Sequence, residues 1–223
     1  CSTIFLAMAL APLHRLFGVD AVSVTTMQAI SGAGYPGVPA MDIMGNVIPH
    51  ISGEEEKIEV ESLKILGDVH GSGITPANIR ISAQCTRVPV VDGHTESVSV
   101  RLSQQADIDQ VREALDSYRG MPQLRGLPSA PARPILVLEA PDRPQPARDI
   151  WLENGMATIV GRLRECPVLD YRMVILGHNT VRGAAGASIL NAEALVSEGY
   201  LDGNRLVKNP GVRESRMAVG ARS

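Results

Sequence analysis

The sequence predicts an α+β fold: a mixed or mostly antiparallel sheet with helices on one face. Three observations predict it. A helical apolar run opens the chain, and the β-branched runs that follow are interleaved with only a few helical ones, so strict β-α-β-α alternation is absent. Aromatic residues make up 3% (one Trp, four Tyr, two Phe), which leaves Val, Ile, Leu, Met and Ala to build the core. Hydrophobic residues at 44% and charged residues at 20% are the composition of a folded globular chain, and 223 residues allow one large domain or a domain and a half.

The elements follow in order. Ser2 and Thr3 are placed to cap a helix from about Thr3 to Phe17 that stops at Gly18, with a kink expected at Pro12. Residues 21–27 (AVSVTTM) have the content of a strand. Ser31 to Gly37 holds three glycines and a proline in seven residues and reads as a loop. Gly53-Glu54-Glu55-Glu56-Lys57 opens a second helix, its acids in the first turn where the helix dipole favours them. Ile58, Val60, Leu63, Ile65 and Leu66 give that helix a partial apolar stripe. Residues 79–91 read as a strand closed by the Asp92-Gly93 turn, and 96–102 (ESVSVRL) as a half-buried strand. Residues 107–118 predict an amphipathic helix with Ile108, Val111, Leu115 and Tyr118 near one face. Residues 122–146 hold seven of the fifteen prolines and form a surface excursion broken by a short strand at 135–138. Strands are expected at 156–163 and 173–176, a final Ala-rich helix at 180–197, and a loose tail at 201–223 that includes Arg213, Arg216 and Arg222.

Charge and cysteine usage exclude several classes. Lys and Arg total 21 against 24 Asp and Glu, a net charge of −3, so a polycationic nucleic-acid binder is excluded as the default. The three cysteines, Cys1, Cys85 and Cys166, are too sparse for a disulfide framework and fit a reducing cytosol, so a cytoplasmic location is expected. The apolar run from Ile4 to Leu13 is too short to span a bilayer and lacks a basic leader. No membrane or nucleic-acid partner and no metal site is expected. The first residue is Cys1 rather than Met, which reads as a processed chain or a piece of a longer one.

Several residues could carry chemistry. Cys1 precedes the first helix, where N–H groups and the dipole favour a thiolate; a buried cysteine at an arbitrary chain start is the alternative, and an N-terminal nucleophile is a third. Arg87 in a strand and His94 just past the Asp92-Gly93 turn can reach one cleft, an anion clamp beside a proton shuttle, although each alone reads as a solvated surface residue. The Ser31 to Gly37 loop would let a ligand approach the backbone, yet it reads as no GxGxxG fingerprint and does not join a strand to a helix in a clear βαβ unit. Glu54 and Lys57 share a helix face, as a solvent-exposed ion pair also would. Small residues from Arg182 to Ala187 fit close helix packing or an anion at a helix start.

Together and in order these stretches resemble aspartate-β-semialdehyde dehydrogenases of the archaeal and fungal branch. The resemblance rests on Cys1-Ser2-Thr3, Gln28 to Gly37, Asn46-Val47-Ile48-Pro49, Gly53 to Lys57, Arg87 to Val90 with Gly93 to Glu96, and His178 to Gly186, and covers about residues 1–200. Malonyl-CoA reductases of the same branch are similar. The resemblance implies a glyceraldehyde-3-phosphate dehydrogenase-like C-terminal catalytic and dimerisation domain, α+β, with NADP as cofactor and a homo-oligomer, dimer or tetramer, as the assembly. It implies Cys1 as the nucleophile that forms a thioester, His94 as general acid/base and Gln28 as the residue that positions the acyl group. Arg87 would clamp the substrate carboxylate, Glu54 the ammonium and Lys57 the phosphate, with the register of the three glutamates ambiguous. Ser31, Gly32, Asn179, Arg182, Gly183 and Ala184 would lie near the nicotinamide. The family's N-terminal Rossmann domain is missing, so the chain is expected to be a fragment truncated at the nucleophile. It would comprise a catalytic and dimerisation domain at 1–177, a helix at 178–200 belonging against the absent domain, and the tail. Such a fragment is expected to be inactive alone. A non-catalytic dimerisation module is the competing reading.

Overall fold

The structure, a computed structural model, describes residues 1–71 and 73–201. The expected loose tail, with Arg213, Arg216 and Arg222, lies outside the described residues beyond Leu201.

The chain enters α1 (Ser2–Phe17) at once, and the helix ends at Gly18, whose φ of 68° suits a glycine. Ser2 and Thr3 do not cap it. Cys1 is the N-cap, its carbonyl accepting from Ile4 N at 2.9 Å, so both hydroxyl residues fall inside the first turn and are buried. Pro12 lies within the helix, buried, and does not end it. Phe5, Leu6, Ala9, Leu10 and Leu13 are fully buried, the pattern of a helix enclosed in a core.

Eight strands follow among the described residues: β1 (Val19–Gln28), β2 (Asp68–His70), β3 (Gly73–Thr75), β4 (Arg80–Arg87), β5 (His94–Leu102), β6 (Ile135–Leu138), β7 (Thr158–Glu165) and β8 (Tyr171–Gly177). Six form one mixed sheet in the order β4-β1-β5-β8-β7-β6, with β1/β4 and β6/β7 parallel and the other pairs antiparallel. The longer helices after α1 are α2 (Glu54–Ile65), α3 (Ile108–Asp116) and α4 (Gly186–Ser197). A crossover through α2 joins the parallel strands β1 and β4. The hairpin β2–β3 is absent from the sequence reading; its short strands are wholly exposed, so no apolar alternation marks them.

The mixed sheet and the one-sided helices hold. α1 and the buried faces of α2 and α3 pack with the inward residues of β1, β5 and β8 in one core. Among the described residues the opposite face is covered near β6, β7 and β8, where Ile150 joins Leu136, Ile159 and Leu176. Across β4, β1 and β5 it presents Ser82, Gln84, Ser23, Ser97 and Ser99, open and polar.

Two boundaries differ from expectation. β4 ends at Arg87 because Pro89 cannot donate to a ladder, and residues 88–93 form a connection instead. β5 begins at His94, since Gly93 at φ +100° completes the turn one residue before it. The final helix is also not uniform. Val181–Ala185 is a π-helix and only then does α4 begin. Leu190 of α4 packs on Leu127 and Met156, and Glu193 accepts from Ser129 N and Oγ at 2.9 and 2.6 Å. Ile189 and Val196 on the same helix remain 56% and 60% exposed.

Gly177, the last residue of β8, sets how closely α1 lies on the sheet. A Cβ there would meet the Phe5 ring at 2.3 Å. Gly177→Ala is expected to cost about 1–3 kcal/mol by overpacking. A lower urea midpoint at unchanged slope is the expected result, and an unchanged midpoint contradicts this account of how α1 is seated.

Candidate active site

Strand register brings the polar side chains together. Gln28 at the end of β1 pairs with Arg87 at the end of β4, and His94 at the start of β5 pairs with Gly177. β1 and β5 run antiparallel with Met27 opposite Thr95, which makes Gln28 and His94 neighbours. All three side chains point to the face that α1 covers and are buried. In sequence they are 28, 87 and 94; in the sheet they form one row, Arg87–Gln28–His94.

The N-terminus of α1 lies over this row. A Cβ on Gly183 would stand 2.4 Å from Cys1 Cβ, so the π-helix packs directly on the nucleophile candidate. The wide turn, held by Gly183 N to His178 O at 3.0 Å, provides that approach. A Cβ on Gly32 would come within 2.8 Å of His94 Nε2 and 2.9 Å of Arg87 Nη1, so the 3-10 turn Ile30–Ala33 closes on the other side.

Hydrogen bonds fix the row. Ala29 N donates to His94 Nδ1 at 3.0 Å, and the Ala29 carbonyl accepts from Arg87 Nη1 at 2.8 Å. With Nδ1 occupied as an acceptor, the proton of the neutral ring sits on Nε2, a buried atom without a hydrogen-bond partner. Burial above all, with the neighbouring Arg87, lowers the His94 pKa to about 3, against a smaller upward pull from the Gly93 backbone. His94 is therefore a neutral donor aimed into the site at physiological pH. A second anchor lies behind Arg87: Ile48 exchanges backbone hydrogen bonds with it, which explains the place of the Asn46 to Pro49 stretch.

The three glutamates have distinct uses. Glu54 Oε2 accepts from Gln28 Nε2 at 3.3 Å and its Oε1 faces Lys57 Nζ at 3.4 Å. Glu55 accepts from Cys85 N at 2.9 Å and so serves the outer edge of β4, as Glu59 does for Ala83 N. Glu56 is exposed. Glu54 is thus the member of the run that borders the row, with Lys57 one turn on and largely in solvent.

The residues expected near a nicotinamide divide. Ser31, Gly32, Asn179 and Gly183 border the site: Asn179 Oδ1 accepts from Gly93 N and its Nδ2 donates to Ser31 Oγ, both at 2.8 Å, latching the 3-10 turn to the turn before His94. Arg182 goes elsewhere. Its Nη2 lies 3.0 Å from Met8 Sδ on the flank of α1. Ala184 is exposed. Gly32, Gly34 and Gly37 do have the spacing of a dinucleotide fingerprint, but the context fails, because α2 begins only at Glu54.

Sequence reasoning missed two features. The π-helix has no periodic signal; only the small residues from Gly183 to Ala187 hint at close packing. Glu96, whose carboxyl group is fully buried behind His94, looks like any polar position of an alternating strand.

The sequence profile of the semialdehyde dehydrogenase dimerisation domain matches residues 10–182. The chain belongs to the semialdehyde dehydrogenase dimerisation-domain family. Aspartate-semialdehyde dehydrogenase of Methanothermobacter thermautotrophicus is 54% identical over 197 residues, 87% of this chain and 57% of that protein. The enzyme of Saccharomyces cerevisiae is 47% identical over 210 residues, 90% of this chain and 58% of that one. Among solved structures, aspartate semialdehyde dehydrogenase with NADP from Candida albicans superposes with a TM-score of 0.82 at 45% identity, covering 90% of this chain and 57% of that chain. The chain therefore spans a little under three fifths of the length of these family members. The mixed sheet and one-sided helices described above are the family's fold.

The His94 environment gives a signed pH dependence. An unfolded histidine titrates near 6.5 and the folded His94 near 3, so between these values the unfolded chain binds the extra proton. The contribution to stability is complete above pH 6.5 and is lost as pH falls toward 3. From pH 7 to pH 4 the loss is expected to be on the order of 1–3 kcal/mol. His94→Gln should flatten that limb of the urea-unfolding profile, and parallel limbs in the two proteins contradict it.

Proposed function

We propose that this chain is the catalytic and dimerisation part of an NADP-dependent aspartate-semialdehyde dehydrogenase, which reduces L-4-aspartyl phosphate to L-aspartate 4-semialdehyde with release of phosphate. The observation that carries the reading is the half-buried Cys1, at the start of the helix that covers the buried row Arg87–Gln28–His94, within a chain 54% identical over 197 residues to such an enzyme. The Cys1 thiolate attacks the acyl carbon and the acyl–phosphate bond breaks, leaving a thioester and free phosphate. Arg87 holds the substrate carboxylate: one N–H is committed to the Ala29 carbonyl, which fixes the plane of the guanidinium and orients its remaining donors. Gln28, tied to Glu54, borders the acyl group, and Glu54 faces the substrate ammonium. Lys57, long and exposed, meets the phosphate.

NADP, when bound in its reduced form, would supply the hydride for the thioester carbon. Gly32 and Gly183 bring backbone close to His94 and Cys1, which fits contact with the nicotinamide end, and Ser31 and Asn179 border the same place. The inward turn of Arg182 onto Met8 does not support its expected contact with the cofactor. His94 donates a hydrogen bond from Nε2 to the oxygen that gains charge as the thioester carbon becomes tetrahedral, and the carbonyl re-forms as the carbon–sulfur bond breaks, releasing the aldehyde and the Cys1 thiolate.

The remaining expectations extend this reading. The open polar face of β4, β1 and β5 is the surface for a second copy, giving a dimer. The exposed Ile189 and Val196 of α4 dock on a dinucleotide-binding domain. The enzyme works in the cytoplasm, where its three free thiols stay reduced. No described helix is long and apolar enough to cross a membrane.

Mixing the chain with aspartyl phosphate tests the first half-reaction without the cofactor. The expected result is one phosphate released per chain in a burst, absent in Cys1→Ala. No burst above the uncatalysed rate, or a burst that survives Cys1→Ala, contradicts the function.

A further inference from the structure

A second polar row lies directly behind the first. Thr26 pairs with Cys85 on β4 and with Glu96 on β5, and Glu96 pairs with Ile175 on β8. These side chains share the face of Arg87, Gln28 and His94, under the first turn of α1. The inward residues of β5 are His94, Glu96, Val98, Val100 and Leu102, so the polar ones are those beneath Cys1 and the rest are aliphatic.

Glu96 is the anomaly in this row. It is fully buried, and among the described residues neither carboxyl oxygen has a partner in hydrogen-bond geometry. Ser2 Oγ faces that carboxyl group, is equally buried, and as placed falls short of hydrogen-bond geometry with it or any other described residue. A buried carboxyl group costs several times more than an aliphatic side chain of similar size, which would fill this position more cheaply if packing were its only task.

We propose that Glu96 is a positioning residue for the nucleophile: its carboxyl group ties Ser2, and with it the first turn of α1, to β5, and so holds the Cys1 thiol over the Arg87–Gln28–His94 row. This rests on the reading of Cys1 as the nucleophile. Glu96 acts as the neutral acid. Burial drives its pKa well above the usual carboxylate range, outweighing the opposite pull of Ser2. The groups around it agree. From α1 it faces Ser2, from β5 His94, from β4, across Thr26 of β1, Cys85, and from β8 it pairs with Ile175. A carboxylate here would repel a thiolate on Cys1 and the acyl oxyanion after it. A neutral acid repels neither and can donate to the Ser2 hydroxyl.

The test compares Glu96→Gln, which keeps the shape and a donor but cannot ionise, with Glu96→Leu, which keeps the volume alone. The readout is the iodoacetamide alkylation rate of Cys1, resolved from Cys166 by peptide mass spectrometry, across a pH series. Glu96→Leu is expected to slow Cys1 about tenfold or more, the worth of one lost buried hydrogen bond, with Cys166 unaffected. Glu96→Gln is expected to recover most of that loss. Infrared difference spectra between the unsubstituted chain and Glu96→Gln provide an arm that needs no folded leucine variant: a neutral carboxylic-acid carbonyl band at pH 7, missing in Glu96→Gln, is expected. A carboxylate band instead, or Glu96→Gln as slow as Glu96→Leu, overturns the proposal, as does a Cys1 rate that Glu96→Leu leaves unchanged. A Cys1 that reacts no faster than Cys166 in the unsubstituted chain overturns the thioester reading itself, and this proposal with it.

Discussion

The seat of α1 on the sheet is the constraint on which the rest depends. The helix is apolar nearly all round and is enclosed by sheet and helices, so its axial position is set by packing. Phe5 lies on the bare backbone of Gly177, the residue paired with His94. One turn before Phe5 stands Cys1. The contact that closes the core thus also fixes the distance between the thiol and the strand ends. The same seating explains why Gly183 must lack a side chain: its π-helix shares the space above the first turn.

The chemistry follows from burial. Backbone groups orient the polar atoms before any ligand arrives. Ala29 alone gives its N–H to His94 and its carbonyl to Arg87. Asn179 fastens the covering turn to the turn that precedes His94. A site held this way needs little rearrangement when charge develops on a substrate oxygen, which is where preorganised donors gain most. His94 suits that role because its environment keeps it neutral and leaves Nε2 unpartnered.

Much of the fold was legible because its signals are local. The apolar run of α1, the stop at Gly18, the alternation in ESVSVRL and the proline-dense stretch each carry their own cause. The expected α+β class with a mixed sheet follows from them. Less legible was whatever depends on partners distant in sequence. Ser2 and Thr3 look like caps until Cys1 takes that place. Three adjacent glutamates cannot be told apart until the N–H groups of β4 claim Glu55 and the side chain of Gln28 claims Glu54. Arg182 carries a charge that suggests a ligand, yet it lies along α1. The row Arg87–Gln28–His94 was readable only as a resemblance, because strand register assembles it from positions up to 66 apart. Glu96 closes the Gly93 to Glu96 stretch of the resemblance, but only the structure shows that its carboxyl group is fully buried beside Ser2.

The central claim is that the thiol of Cys1 and the row beneath it act on one acyl group. A crystal structure of the chain with Cys1 acylated by a substrate-like group that carries a carboxylate tests this most directly. The account predicts the acyl oxygen within about 3 Å of His94 Nε2 and the carboxylate on the guanidinium of Arg87. An acyl group turned to solvent, with His94 Nε2 and Arg87 making no contact to it, would contradict the account.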